Sequence, residues 1–325
     1  MSARYVQPLR ILVQFCFLAC MVWLGILFFQ FVSSISSGGA ASLVERPPGI
    51  EGFLPISGLL GLSAWIKGAG FNAIHPAAVV LFLTIVAVSL LLRRSFCSWI
   101  CPVATVSELA WKGGFCLFRR NLNLPRPLDL VLRGLKYLLL AFFVYSIVIA
   151  MPAEALRGFI LSDYHKIADI RLLDFFLHIS PLALGIILFL VALSFPLRNP
   201  FCRYLCPYGA LLGLAALISP VRVTRDNERC VSCGVCSQVC PSRIDVMRKR
   251  SVVTAECIGC WRCVSHCRFN EALSMRFAGR FLIPGALFAA LVALVFWGGS
   301  LLGKATGHWQ TSISIGEYQR LLERR

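Results

Sequence analysis

Fifteen cysteines dominate the chemistry open to this 325-residue chain, and eight of them fall into two matching runs. Cys230-x-x-Cys233-x-x-Cys236-x-x-x-Cys240-Pro241 is followed, sixteen residues later, by Cys257-x-x-Cys260-x-x-Cys263-x-x-x-Cys267. Three thiolates from one tight loop can cap three irons of a cube, and a distant fourth closes it, so this spacing suits [4Fe–4S] ligation. In such a double run the fourth Cys ligates the other cluster. The expected sets are therefore Cys230, Cys233, Cys236 and Cys267 for one cluster, and Cys257, Cys260, Cys263 and Cys240 for the other. Structural zinc prefers C-x2-C pairs set well apart, and disulfide scaffolds are short and secreted; neither fits. One departure is Arg268 after Cys267, where the usual run has Pro.

Four more cysteines form a second pattern, Cys97-x-x-x-Cys101-Pro102 and Cys202-x-x-x-Cys206-Pro207. These thiols could hold an additional metal centre or act as a redox dithiol. The bland alternative is a set of small buried apolar side chains, a common role for free Cys. Cys16 and Cys20 share a helix face at i, i+4; they and Cys116 read as packing.

The elements that must position these cysteines are membrane segments. The chain is 58% apolar and only 14% charged, against about 45–50% and about 25% in ordinary soluble domains. Five stretches approach the roughly 20 apolar residues needed to cross a bilayer: 11–32, 76–92, 134–151, 179–197 and 281–303. Lys136 sits at the end of the third, placed to snorkel. Two shorter runs, 54–66 and 207–221, read as interfacial, re-entrant or packed on the bundle. Lys and Arg number seven after the second stretch and thirteen between Arg198 and Arg280, but two and three after the first and third. By the positive-inside rule the amino terminus and the cysteine runs face the cytoplasm and the carboxyl terminus lies outside. The net charge of +17 is then a topology signal and implies no nucleic-acid partner. Arg248-Lys249-Arg250 reads as a charged loop near anionic headgroups.

The two C-x-x-x-C-P elements belong to an internal repeat. Arg93–Pro102 overlays Arg198–Pro207 at an offset of 105 residues (202 − 97), matching Arg, Phe, both Cys and Pro. The same offset pairs Pro76 with Pro181, each near the start of an apolar stretch. The expected fold is thus an α-helical membrane protein of about five transmembrane helices with a tandem repeat, plus a small α+β module of bacterial 2[4Fe–4S] type. Residues 1–219 form the membrane domain, 220–278 the (βαβ)2-type cluster module, and 279–325 the fifth helix and an outer tail.

This combination resembles the NapH/NosR-type family of polytopic membrane iron–sulfur proteins over about residues 76–278. The strings Arg46-Pro47-Pro48-Gly49-Ile50-Glu51-Gly52-Phe53 and Tyr164-His165-Lys166-Ile167-Ala168-Asp169 resemble a subgroup of it. The resemblance implies a quinol dehydrogenase or membrane electron conduit for a respiratory reductase. Some relatives serve instead in oxidase assembly or metal-centre maturation. A large flavin-bearing domain, as NosR-like members carry, is absent from this sequence, and a fifth stretch with a tail, Lys304–Arg325, extends beyond the four expected of NapH-like members.

A membrane carrier of single electrons needs a lipid-soluble two-electron partner, and quinol is the obvious one. Its oxidation releases two protons, so the site should offer carboxylates or His near water. The outer-side candidates are Glu51, His75, Asp163, His165 and Asp169. His266, beside Cys267, is a candidate to tune a cluster. The expected function is electron transfer between the quinone pool and a partner redox protein in a bacterial inner membrane. The rival is an assembly or maturation factor that handles or reduces a metal with the C-x-x-x-C thiols.

Overall fold

The fold is described by a computed structural model, which covers residues 5–36, 45–122, 124–269 and 271–324. Its regular structure is mostly helical. In chain order it runs α1 (Val6–Ser36), a 3-10 turn (Pro48–Phe53), α2 (Pro55–Ile66), α3 (Pro76–Leu92), α4 (Phe96–Trp99), α5 (Pro102–Phe118) and α6 (Arg126–Val144). A π-helical stretch (Tyr145–Ala150) extends α6, and α7 (Ala153–Ile160), α8 (Asp163–Lys166), α9 (Ala168–Leu177) and α10 (Pro181–Ser194) follow. A second π-helical turn (Phe201–Leu205) leads to α11 (Pro207–Ala215), β1 (Val221–Arg225), α12 (Val235–Gln238), α13 (Arg262–Ser265), β2 (Leu273–Phe277) and β3 (Phe281–Leu282). Helices α14 (Gly285–Ala305) and α15 (Ile315–Glu323) complete the chain.

Three helical stretches are long and apolar enough to cross a membrane: α1, Arg126–Ala150 and α14. Their lipid-suited character shows in large apolar side chains left exposed, such as Trp23 and Phe29 on α1 and Leu138 and Phe142 on α6. A water-facing surface would not carry apolar patches on this scale. The chain is a membrane protein. The two other apolar stretches behave differently. Helix α3 has 17 residues, about 26 Å of rise, short of the roughly 30 Å hydrocarbon core. Helix α10 reaches spanning length only together with α9, and that pair is bent by 80°; Pro181, which cannot continue a preceding helix, begins the second arm.

The chain divides into two compact units. One comprises Met1–Leu18, Ile85–Leu140 and Leu188–Phe296, with all the cysteine motifs. Its sheet is antiparallel in the order β1-β2-β3, with Val221 opposite Phe277, Val223 opposite Met275 and Phe277 opposite Phe281. Val221, Val223, Leu273 and Met275 are buried on this sheet with Val246 and Val252 nearby in sequence. The expected (βαβ)2 form is pared down: helices α12 and α13 have four residues each, and a single bridge from Thr224 to Ser251 stands for a further strand.

Lys136 corrects the snorkelling expectation. It is wholly buried, and its Nζ donates to Glu256 Oε1 at 2.6 Å and Oε2 at 2.9 Å. A cation this deep in an apolar helix persists because an anion from the cysteine segment meets it.

The second unit comprises Ala19–Thr84, Ala141–Ile187 and Trp297–Arg325. Its core gathers Phe28, Phe31, Leu60, Leu156, Ile170 and Tyr318. The carboxyl-terminal tail is therefore packed rather than loose: Ser314 caps α15 by accepting from Glu317 N, Tyr318 meets the edge of Phe31, and Glu317 pairs with Lys166 at 2.7 Å.

Candidate metal centres

The two cysteine runs adopt one backbone path. Ser232 and Gly234 flank Cys233, and Gly259 and Trp261 flank Cys260; all four have left-handed backbone, with φ of 55°, 77°, 60° and 61°. Bulky residues such as Trp rarely adopt this region. Its recurrence at matched positions marks a turn that points successive N–H groups inward, the nest geometry of many Fe–S sites. Two cavities result. Cys230, Cys233, Cys236 and Cys267 line one, beside Met247 and Leu273. Cys240, Cys257, Cys260 and Cys263 line the other, beside Ile244, Val246 and Val252. Among the described residues no three His, Cys, Asp or Glu side chains converge as they would on one metal ion. Four thiols spread round an apolar space fit a cluster better than zinc. The donor set is all sulfur, which iron–sulfur centres require.

The two loops differ in their surroundings. The Cys257–Cys263 loop is tied to the helices of its unit by long-range bonds. Gln7 Nε2 donates to Cys260 O at 2.9 Å and Trp99 Nε1 to Gly259 O at 3.2 Å, and Ser98 Oγ donates to Ile258 O. Arg262 reaches Glu108 at 2.7 Å, and Trp99 and Trp261 each lie 5.6 Å, ring centre to centre, from Phe288. Cys233, on the other loop, is exposed. His266 is exposed as well, its Nδ1 set 2.9 Å from Arg262 O.

Glu108 anchors a buried charge network. Arg10 Nη1 donates to Glu108 Oε2 at 2.9 Å and Nη2 to Oε1 at 2.6 Å, while Lys112 and Arg262 join the same carboxylate. Burial opposes the charge on Glu108, yet the three cations hold its carboxyl well below the usual range. Nothing local in sequence pointed to this residue.

The C-x-x-x-C thiols share a second locus in the same unit. Each first cysteine lies in a short helical turn, α4 or Phe201–Leu205, and each second one is extended just before the Pro that opens α5 or α11. Cys97 and Cys202 line a common cavity with Arg94. Arg94 Nε donates to Cys97 Sγ at 3.3 Å, and Gly209 N donates to Cys206 Sγ at 3.2 Å. Burial, then Cys97 and Cys206, push the Cys101 thiol up to about 12, and burial pushes Cys202 and Cys206 up as well. All four are free thiols. Cys16 and Cys116 are exposed rather than packed.

Four of the five acid–base candidates meet in the second unit. Glu51, His75, His165 and Asp169 are all buried, and Arg46, not singled out beforehand as a site residue, joins them. Arg46 Nη2 lies 2.8 Å from both Glu51 Oε1 and Asp169 Oδ2. His75 Nε2 donates to His165 O at 2.8 Å, leaving Nδ1 3.3 Å from Glu51 Oε1. The two imidazoles stand 4.9 Å apart, edge to face. Asn72 Oδ1 accepts from the N–H groups of Ile74 and His75 and fixes the entry to α3. Burial, then His75, pushes His165 down to about 4, keeping it neutral at pH 7. Arg46 Nη1 is buried with no hydrogen-bond partner among the described residues. Asp163 stands apart, exposed and 4.0 Å from Lys166. The pairing of Arg46 with Glu51, in one conspicuous string, was the sequence signal for the missed residue.

Comparison with known proteins agrees with this arrangement. The 4Fe-4S binding domain family matches residues 74–125 and 179–225, and the 4Fe-4S dicluster domain family matches residues 222–268. YccM of Escherichia coli, named for electron transport, is 40% identical over 95% of this chain and 88% of its own length. The chain belongs to the NapH-type family of membrane ferredoxin-like proteins. Within that family, the ferredoxin-type protein NapH of Escherichia coli is 29% identical over 54% of this chain and 59% of its own length. The methylamine utilization ferredoxin-type protein MauN of Methylorubrum extorquens is 30% identical over 59% and 62%. No solved structure matches the chain. Iron–sulfur electron transfer is thus the function class of this NapH-type protein.

Proposed function

We propose that this chain carries electrons between the quinone pool and a partner redox protein, with two [4Fe–4S] clusters as its resident cofactors. Cys230, Cys233, Cys236 and Cys267 would hold one, and Cys240, Cys257, Cys260 and Cys263 the other. The observation that carries this reading is the sorting of eight thiols into two cavities, with each fourth cysteine crossing to the other run's cavity. When bound, such clusters supply single-electron carriage at potentials set by charge, hydrogen bonding and exposure. The protein's own contribution is placement. The Cys257–Cys263 loop is held against helices, whereas Cys233 faces outward, which suits exchange with a separate redox protein there. Quinol oxidation and the partner follow the names of NapH-type relatives; the membrane is read as bacterial and inner, with the cysteine module cytoplasmic, on the Lys and Arg asymmetry.

Five spans in a tandem repeat remain part of this reading. The support is the matched order of helix, helical turn with the first Cys, extended second Cys and Pro-opened helix in both segments, together with one family's match to both.

The Arg46–Glu51–His75–Asp169 cluster would serve quinol chemistry by holding and passing protons. Arg46 lies between two carboxylates, and His75 faces Glu51 with one nitrogen while donating to a carbonyl with the other. Glu51→Gln keeps the hydrogen-bonding shape and removes the base. Its expected result is an unchanged iron content with cluster reduction by a quinol analogue slowed at least about 100-fold, the low end of a general-base contribution. Equal rates in stopped-flow absorbance would remove the cluster from the mechanism.

The assembly or maturation reading keeps one observation in its favour, the four buried free thiols beside Arg94. Cys97→Ser with Cys202→Ser separates the cases. Lower iron per chain would assign an additional metal centre to these thiols. Unchanged iron with lost activity would assign dithiol chemistry.

A further inference from the structure

The polar face of the β-sheet holds a charge arrangement that the free protein does not balance. Arg222 and Arg276 are directly opposite each other on antiparallel β1 and β2. Like charges directly across such a pair repel and destabilise the sheet. Nothing nearby relieves them. Arg222 Nε donates to Ser219 O and Arg276 Nε to Ser274 Oγ, but among the described residues neither has an ion-pair partner, and neither does Arg250. All three line one groove of about 900 Å³, with the hydroxyls of Thr224 and Ser251. The acids at its far end, Asp226 and Glu228, leave the arginine end open, and Asp226 is 3.8 Å from Arg229.

The hairpin that carries Arg276 has a second unusual property. Phe277 is 46% exposed, its cross-strand partner Phe281 69% and Leu282 54%. Leu282 precedes Gly285, the first residue of membrane-spanning α14, by three positions, so the hairpin tip lies within about 10 Å of the helix start along the chain. That distance matches the polar layer of a bilayer, about 5–8 Å on each side of the hydrocarbon core. Exposed aromatics at that level enter the interface, and neighbouring arginines face lipid phosphates.

We propose that Arg222, Arg250 and Arg276 form a binding groove for the phosphodiester headgroup of an anionic phospholipid, with Phe277, Phe281 and Leu282 seated in the interface beside it. The groove docks the cysteine module on the bilayer surface. This goes beyond the electron-transfer reading and does not depend on what donates or accepts the electrons. An acidic protein partner would use the arginines equally well, but it would leave two phenylalanines and a leucine exposed next to the start of a spanning helix.

The test uses the full chain in nanodiscs of phosphatidylglycerol or of phosphatidylcholine, and in detergent with each lipid added, the retained lipid being counted by native mass spectrometry. The wild type is expected to retain phosphatidylglycerol preferentially. Arg222→Gln with Arg276→Gln is expected to weaken that retention about 30-fold, at about fivefold for each arginine. Because the substitutions remove a like-charge pair, the lipid-free double variant should melt no lower than wild type, which separates lost binding from lost folding. Amide exchange across 273–283 should slow in phosphatidylglycerol discs only. Equal retention of both lipids would overturn the proposal. So would competition by millimolar inorganic phosphate alone, which would mark a free-anion site, or protection of 273–283 by an acidic flavodoxin in place of lipid, which would mark a protein interface.

Discussion

Replacing Cys240 by Ala is expected to halve the iron of the anaerobically purified protein, from about eight to about four atoms per chain, one cluster's worth. The loss should fall on the cavity of Cys257, Cys260 and Cys263, although Cys240 lies in the other run. Combination makes this sharp. Variants that strike one cluster are redundant, and variants that strike two are additive. Cys240→Ala with Cys257→Ala should therefore hold the same iron as either alone, whereas Cys240→Ala with Cys236→Ala should hold almost none. The opposite pattern, redundancy between Cys236 and Cys240, would mean that each run closes its own cube. Iron and sulfide analysis reads both cases, and EPR of the single variants reports which signal survives.

The second large effect concerns a residue that touches no cysteine. Glu108→Gln removes the one anion beneath Arg10, which is wholly buried, and beneath Arg262. Breaking a buried pair from one side costs about 3–5 kcal/mol, because the surviving charge has lost its partner in a poorly solvated place. The variant should unfold at a clearly lower temperature in detergent, followed by the visible absorbance of the clusters, and lose iron first from the loop that contains Arg262. Substituting Arg10 and Glu108 together by Met should recover part of the loss, since apolar replacement of an entire buried pair is often close to neutral. A melting temperature unchanged in Glu108→Gln would show that the network carries no stability.

What the sequence disclosed follows from how far apart the cooperating residues lie. Cluster ligands sit three residues apart in tight loops, so Cys230, Cys233 and Cys236 announce one another. Apolar runs in α1, Arg126–Ala150 and α14 are likewise local, and they appear as helices long enough to cross a membrane. Pairings across the chain were hidden. Lys136 meets Glu256 from 120 positions away and Arg10 meets Glu108 from 98. Read from its neighbours alone, Lys136 belonged at a membrane surface. Glu51, His75, His165 and Asp169 could be picked out as residue types, but only the fold brings them to Arg46 and leaves Asp163 outside. The opposition of Arg222 and Arg276 depends on strand register, which the intervening cysteine loops conceal.

The account rests on cluster content, and one preparation measures it. The full chain, purified without oxygen and reduced by dithionite, should contain about eight iron and about eight sulfide per polypeptide and show an EPR spectrum of two [4Fe–4S] centres. Zinc in place of iron, or recovery of the eight sulfurs as cystines, would contradict it.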